Sequence, residues 1–150
     1  MTSAKIIYGS LTGNTEVMAD IVCEALENLN IEVDIDECTQ IDAEEFKEAD
    51  ICIIAAYTYD EGTIPEEMLD LYEDLLQLDL QGKVFGVCGS GDTFYENYAT
   101  AVDSFEEAFL TAGAKKGAEK IKVDLAAEEE DIQQLKAFAS ELVTTQQAMM

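Results

Sequence analysis

The sequence has no histidine and no arginine, and its 8 lysines face 33 Asp and Glu, for a formal charge of −25. Without histidine, the commonest general base, the usual partner of a catalytic nucleophile and the main zinc ligand are all missing, so hydrolase and zinc chemistry are weak readings. A charge of −25 with no basic patch argues against nucleic acid and against an anionic membrane surface. No apolar run approaches the ~20 residues of a membrane span, and residues 1–7 carry one Lys and no long apolar leader segment. A soluble, cytoplasmic protein is expected. Cys23, Cys38, Cys52 and Cys88 form no C-x-x-C pair and sit in apolar or strand-like settings, which reads as reduced core thiols and no metal site.

What is present is enough for one core. A chain of 150 residues that is 48% apolar reads as one folded domain over 1–150 rather than a disordered acidic chain. Lys5-Ile6-Ile7-Tyr8 is an apolar run ending in Gly9-Ser10, and Val17, Met18, Ile21, Val22, Ala25, Leu26 and Leu29 then recur at helical spacing. Strands are expected at the alternating Glu32-Val33-Asp34-Ile35-Asp36, at the apolar run 51–56 and at Lys83-Val84-Phe85-Gly86-Val87-Cys88. A weak helix is expected near 42–48. Ile64, Met68, Tyr72, Leu75 and Leu76 mark a further helix, opened by Thr63-Ile64-Pro65-Glu66 with capping-box spacing and Pro in the first turn. Tyr98, Ala101, Val102, Phe105 and Phe109 mark another, ending at Gly113. One last strand is expected over 120–125, and a closing helix begins at Glu128-Glu129-Glu130-Asp131, where acids favour the positive end of the dipole.

Strands alternating with helices predict an α/β fold, a three-layer sandwich with helices on both faces of a five-stranded parallel sheet. Only the second and fifth strands alternate cleanly between apolar and polar residues, which makes them the edges and gives the order 2-1-3-4-5. A ligand then belongs above the carboxyl ends of the first and third strands, where the order reverses.

The loop there is Gly9-Ser10-Leu11-Thr12-Gly13-Asn14-Thr15, whose hydroxyls and helix-start N–H groups suit an anion. It lacks the Lys of a triphosphate-binding loop and is not G-x-G-x-x-G, so a fixed phosphate monoester fits better than a transferring phosphoryl group. Together with Glu16, this run resembles the phosphate-binding signature of flavodoxins. Tyr57-Thr58-Tyr59-Asp60-Glu61-Gly62 resembles the family's second loop, often Thr-Trp-Gly-Asp-Gly, and Gly89-Ser90-Gly91-Asp92-Thr93-Phe94-Tyr95 resembles its third. The likeness runs from about residue 5 to 142 and is of the short-chain type, with no extra loop splitting the last strand.

The resemblance implies a flavodoxin-like fold and bound FMN. It implies that Ser10, Thr12, Asn14 and Thr15 hold the phosphate with backbone amides, that Tyr59 and Tyr95 flank the isoalloxazine ring, and that Asp92 reaches its pyrimidine edge. Leu11, Gly13, Tyr57, Thr58, Asp60, Glu61, Gly62, Ser90, Gly91, Tyr98 and Ala99 complete the implied contacts. Tyr59 stands where Trp is frequent, and Asp60 where Gly is frequent. The implied function is a low-potential one-electron carrier without substrate turnover of its own. It would act as a monomer and dock on basic surfaces of partners such as ferredoxin- or flavodoxin-NADP reductase or a 2-oxoacid oxidoreductase. Alternatives at this point are an FMN enzyme of the same fold, such as a quinone reductase, a flavoprotein that activates ribonucleotide reductase, or an acidic binding module. A phosphoacceptor domain fits poorly, because Gly9-Ser10 stands where an acidic pair is needed.

Overall fold

The computed structural model describes residues 2–10, 13–58, 64–93 and 99–149. Along the chain, β1 (Ser3–Tyr8) leads into α1 (Asn14–Glu27) and β2 (Glu32–Glu37), then a 3-10 turn over Ala43–Glu48 and β3 (Ile51–Thr58). A second 3-10 turn, Glu66–Met68, runs into α2 (Leu69–Leu75), followed by β4 (Val84–Gly91), α3 (Thr100–Thr111), β5 (Lys115–Lys116), β6 (Ile121–Asp124) and α4 (Glu129–Ala148). Every strand pairing is parallel, in the order β2-β1-β3-β4, with β5 and β6 both lying along the outer side of β4. The expected order therefore holds, and the flavodoxin-like sandwich is the observed fold.

Alternate residues of the inner strands feed two cores. Ala4, Ile6, Ile51, Ile53 and Ala55 pack under α1 and α4, and Ile7, Cys52, Ile54 and Ala56 pack under α2 and α3. Both faces of β3 and β4 are covered, so all eight residues of each strand are buried and no polar alternation is left to read. On the second face Phe109 stacks on Phe85 with centroids 4.8 Å apart and meets Phe46 at 5.4 Å. The edge strand β2 keeps its alternation, and its Asp36 takes an ion pair from the buried Lys5 of β1.

Two local expectations change. The last strand is not a single run over 120–125: β5 pairs with Val84 and Phe85, β6 pairs with residues 88–91, and residues 117–120 leave the ladder between them. At Gly117 the backbone presses so close to the sheet that a Cβ would strike Val84 and come within 2.8 Å of Leu142. Its N–H still donates to Phe85 O at 2.9 Å and its carbonyl accepts the Thr145 hydroxyl at 2.9 Å, so the break is fastened. The helix expected from residue 64 begins as the 3-10 turn at Glu66, because Pro65 is extended (φ −55°, ψ 139°) and stands outside the first turn. Thr63 of the expected capping box lies outside the described residues, as does Tyr98, and α3 opens at Thr100. Gly113 does end α3: it takes φ +92°, its N–H reaches Leu110 O, and Ala114 N–H reaches Phe109 O, which is a Schellman closure. Glu128 caps α4 in a reciprocal box with Asp131.

Candidate functional site

The strand order reverses between β1 and β3, and the carboxyl ends of β1, β3 and β4 lie side by side at that edge. In the first loop, Gly13 holds φ +91° at the cap of α1. A Cβ there would meet nothing within 4 Å, so glycine is required by the backbone angle and not by space. The N-cap carries no side chain of its own. Ser10 supplies the oxygen instead, accepting the N–H of Gly13 at 3.0 Å and that of Glu16 at 3.4 Å. The first-turn N–H groups of a helix have no intrahelical acceptor and carry its positive end. Gly9 lies over Met68, where a Cβ would fall 2.6 Å from the methionine sulfur.

Thr15, Thr58 and Ser90 are all buried at this edge. The hydroxyls of Thr15 and Ser90 are hydrogen-bonded at 2.8 Å, and Thr58 Oγ1 accepts the N–H of Ala101 at 2.9 Å. Gly91 packs on Ala99, whose φ is +50°, and a Cβ on Gly91 would stand 2.9 Å from Ala99 N. Asn14 and Asp92 are half-buried. Tyr57 turns its ring into the α2/α3 core and donates its hydroxyl to Glu67 at 3.0 Å. Leu11, Thr12, Tyr59, Asp60, Glu61, Gly62, Tyr95 and Tyr98 lie outside the described residues.

One participant escaped sequence reasoning. Asp124, at the end of β6, accepts the N–H of Thr93 at 3.2 Å and its hydroxyl at 3.1 Å, and Leu125 N–H donates to Gly91 O at 2.7 Å. These bonds fasten the third loop to the last strand. An acid closing an alternating strand gives no signal of such a role.

The family profile described as Flavodoxin matches residues 6–138. The chain belongs to the flavodoxin family. It is 37% identical to "Probable flavodoxin 2" of Bacillus subtilis (strain 168) over 139 residues, 92% of each chain. A solved Streptococcus pneumonia TIGR4 flavodoxin is 56% identical, with a TM-score of 0.93 over 95% of this chain and 99% of that one. A short-chain flavodoxin associated with a non-canonical PDU bacterial microcompartment is 53% identical, with a TM-score of 0.95 over 97% and 99%.

As a flavodoxin the chain is an FMN-binding electron carrier, and the donor set fits that cofactor. A helix start capped by a serine hydroxyl and a side-chain-free glycine offers N–H and O–H donors to a phosphate dianion. The redox chemistry is the flavin's; the protein supplies binding, orientation and field.

Proposed function

We propose that this chain is one domain over 1–150 acting as a monomeric, cytoplasmic, low-potential one-electron carrier with non-covalently bound FMN and no substrate turnover of its own. The observation that carries the reading is the reversal of strand order between β1 and β3, with the start of α1 tied to the end of β4 there by the buried hydroxyls of Thr15 and Ser90. Loop 10–15 holds the phosphate, through Ser10, Thr12, Asn14 and Thr15 together with backbone amides. Loop 57–62 and the segment 90–99 hold the ring, with Tyr59 and Tyr95 on its two faces, Asp92 at its pyrimidine edge, and Thr58, Asp60, Glu61, Gly62, Ser90, Gly91, Tyr98 and Ala99 around it.

The field around that site is acidic. A cleft of about 500 Å³ between the residues that follow β2 and the start of α2 is lined by Asp42, Glu66, Glu67, Asp70 and Asp74 among others. Each carboxylate ~10 Å from the ring disfavours an added negative charge by about 0.4 kcal/mol in water-like dielectric, or roughly 20 mV for one electron. The same charge favours encounter with basic surfaces of partners such as ferredoxin- or flavodoxin-NADP reductase or a 2-oxoacid oxidoreductase.

The test is uptake of cofactor. Purified protein is expected to be yellow with equimolar FMN, and its apoprotein to rebind FMN stoichiometrically. A colourless protein whose apoprotein refuses FMN defeats the reading.

A further inference from the structure

Asp92 follows directly on β4, and the backbone on either side of it is held. Gly91 pairs with Thr58 of β3 on one side and with Asp124 of β6 on the other. Leu125 N–H carries that second pairing one residue further, donating to Gly91 O at 2.7 Å. A Cβ on Gly91 would stand 2.9 Å from Ala99 N, so the strand end also lies hard against the cap of α3. Beyond Asp92, Thr93 gives its N–H and its hydroxyl to the two carboxylate oxygens of Asp124, at 3.2 and 3.1 Å. The grip on Thr93 falls to a side chain because β6 ends at Asp124. Leu125 takes φ +58°, a left-handed angle that bulky residues rarely adopt, and the chain bends out of the strand there. Such an outlier persists where its surroundings over-determine it, as the bonds from residues 124 and 125 to residues 91 and 93 do here.

We propose that Asp124 is a positioning residue for the flavin, which by holding Thr93 sets Asp92 against the pyrimidine edge of the ring. The inference rests on the FMN reading, which puts Asp92 at that edge. Only an interaction that differs between redox states moves a potential, and a contact at the ring edge differs when the ring gains charge. Asp124 therefore acts on the potential in two ways, through its own charge and through the geometry it imposes on residues 91–93. Two neutral substitutions separate them. Asn keeps an oxygen for the Thr93 N–H and an amide donor for its hydroxyl, whereas Ala keeps neither.

The experiment compares the wild type with Asp124→Asn, Asp124→Ala and Thr93→Val. It measures the affinity of each apoprotein for FMN and for riboflavin, which lacks the phosphate, and the visible circular dichroism and first one-electron potential of each FMN-loaded protein. Asp124→Ala is expected to weaken both ligands by the same factor, about threefold, the scale of solvent-exposed hydrogen bonds, and to change the visible circular dichroism. Asp124→Asn should keep wild-type affinities and circular dichroism. Both variants lose the same charge, so a difference between their potentials is geometric; a threefold change in the relative affinity for the two redox states corresponds to roughly 30 mV. Thr93→Val, which keeps the N–H and loses the hydroxyl, should lie between the wild type and Asp124→Ala. If Asp124→Ala does not fold, Thr93→Val against Thr93→Ser carries the same comparison at constant charge. The proposal is overturned if Asp124→Ala and Asp124→Asn share one potential and one circular dichroism spectrum, or if Asp124→Ala weakens FMN and leaves riboflavin untouched. A wild-type apoprotein that takes up neither ligand would instead defeat the flavin reading itself, and the proposal with it.

Discussion

The phenol of Tyr57 donates to the carboxylate of Glu67 at 3.0 Å, tying the end of β3 to the 3-10 turn that precedes α2. The same turn reaches two further strand ends: the Glu67 carbonyl accepts the Cys38 thiol at 3.6 Å, and Met68 lies under Gly9. A hydrogen bond to a charged group contributes ~1.5–3 kcal/mol when shielded and less where one partner is exposed, as Glu67 is. Tyr57→Phe and Glu67→Ala are expected to lower apoprotein stability by about 1 kcal/mol each. Glu67→Gln, which keeps an acceptor, should lose less. Urea midpoints of the three variants check this, and a Glu67→Gln loss as large as that of Glu67→Ala would refute the bond's role.

Because Glu67 is structural as well as acidic, it is a poor probe of docking. Glu66, Asp70 and Asp74 are exposed and line the same cleft. Electron transfer to a basic partner is expected to slow as salt rises, since exposed charges are screened over ~10 Å at 0.1 M. In the Glu66→Gln/Asp70→Asn/Asp74→Asn variant that dependence should flatten while stability stays near wild type. Stopped-flow rates across an ionic-strength series measure it. An unchanged salt slope would assign these charges to solubility.

Ser10 serves the fold before it serves a ligand. Its Oγ satisfies two N–H groups at the start of α1, so Ser10→Ala is expected to lower the stability of the apoprotein by ~1 kcal/mol, the usual cost of a lost cap, and to weaken FMN as well. Denaturation without and with FMN separates the two effects. A loss seen only with FMN would mean that Ser10 does not cap the free protein.

Most of the fold was legible because it rests on local rules. Residues 51–56 and 83–88 are unbroken apolar runs because both faces of β3 and β4 are covered, and β2 alternates because it is an edge. Gly113 and Glu128 punctuate helices through one backbone angle and one side chain. The unreadable features depend on what lies across space. The break at Gly117 follows from Val84 and Leu142 meeting its Cα, and neither is near it in sequence. In the site, the pattern marked Thr15 and Ser90 as ligand contacts, whereas their mutual bond depends on how far β4 extends past β1. Nothing in the pattern around Tyr57 signals that its ring enters the α2/α3 core and its hydroxyl reaches Glu67.

The thiols should be inert. Burial pushes Cys52 and Cys88 up to about 12, burial with Glu67 and Glu37 nearby pushes Cys38 up to about 12, and burial with Glu27 and Asp20 nearby pushes Cys23 up to about 11. At pH 8 each is far less ionised than an ordinary thiol of pKa ~8.5, so alkylation in native buffer is expected to run at least ~100-fold slower than with free cysteine. Denaturant should expose all four at once. Half-buried Cys23 should be the first to react in the native protein, as mass spectrometry of partly alkylated samples would show. Rapid native labelling of Cys52 or Cys88 would contradict the burial.

The basic end of the molecule sets the last prediction. Asp103, in the first turn of α3, takes Lys120 at 2.6 Å and Lys122 at 2.8 Å from across the sheet edge. Partial burial raises its pKa, but the hydrogen bonds and charges of the two lysines outweigh it and the net shift is downward. The hydrogen bond to Asp103, against some desolvation, raises that of Lys120. A carboxyl whose folded pKa lies below its unfolded value stabilises the fold above the unfolded value, and that contribution disappears as pH falls through the folded one. A lysine raised on folding stabilises below its unfolded value and loses the contribution as pH rises through its folded value. The cluster therefore contributes on the plateau between the carboxylate and lysine ranges and fades at both ends. Exposed pairs are screened, so the plateau is small, on the order of 0.5–1 kcal/mol. The melting temperature of Asp103→Asn should fall below that of the wild type at neutral pH and converge with it in acid and again in strong alkali. A gap that persists unchanged through the acid range would assign the loss to packing rather than charge.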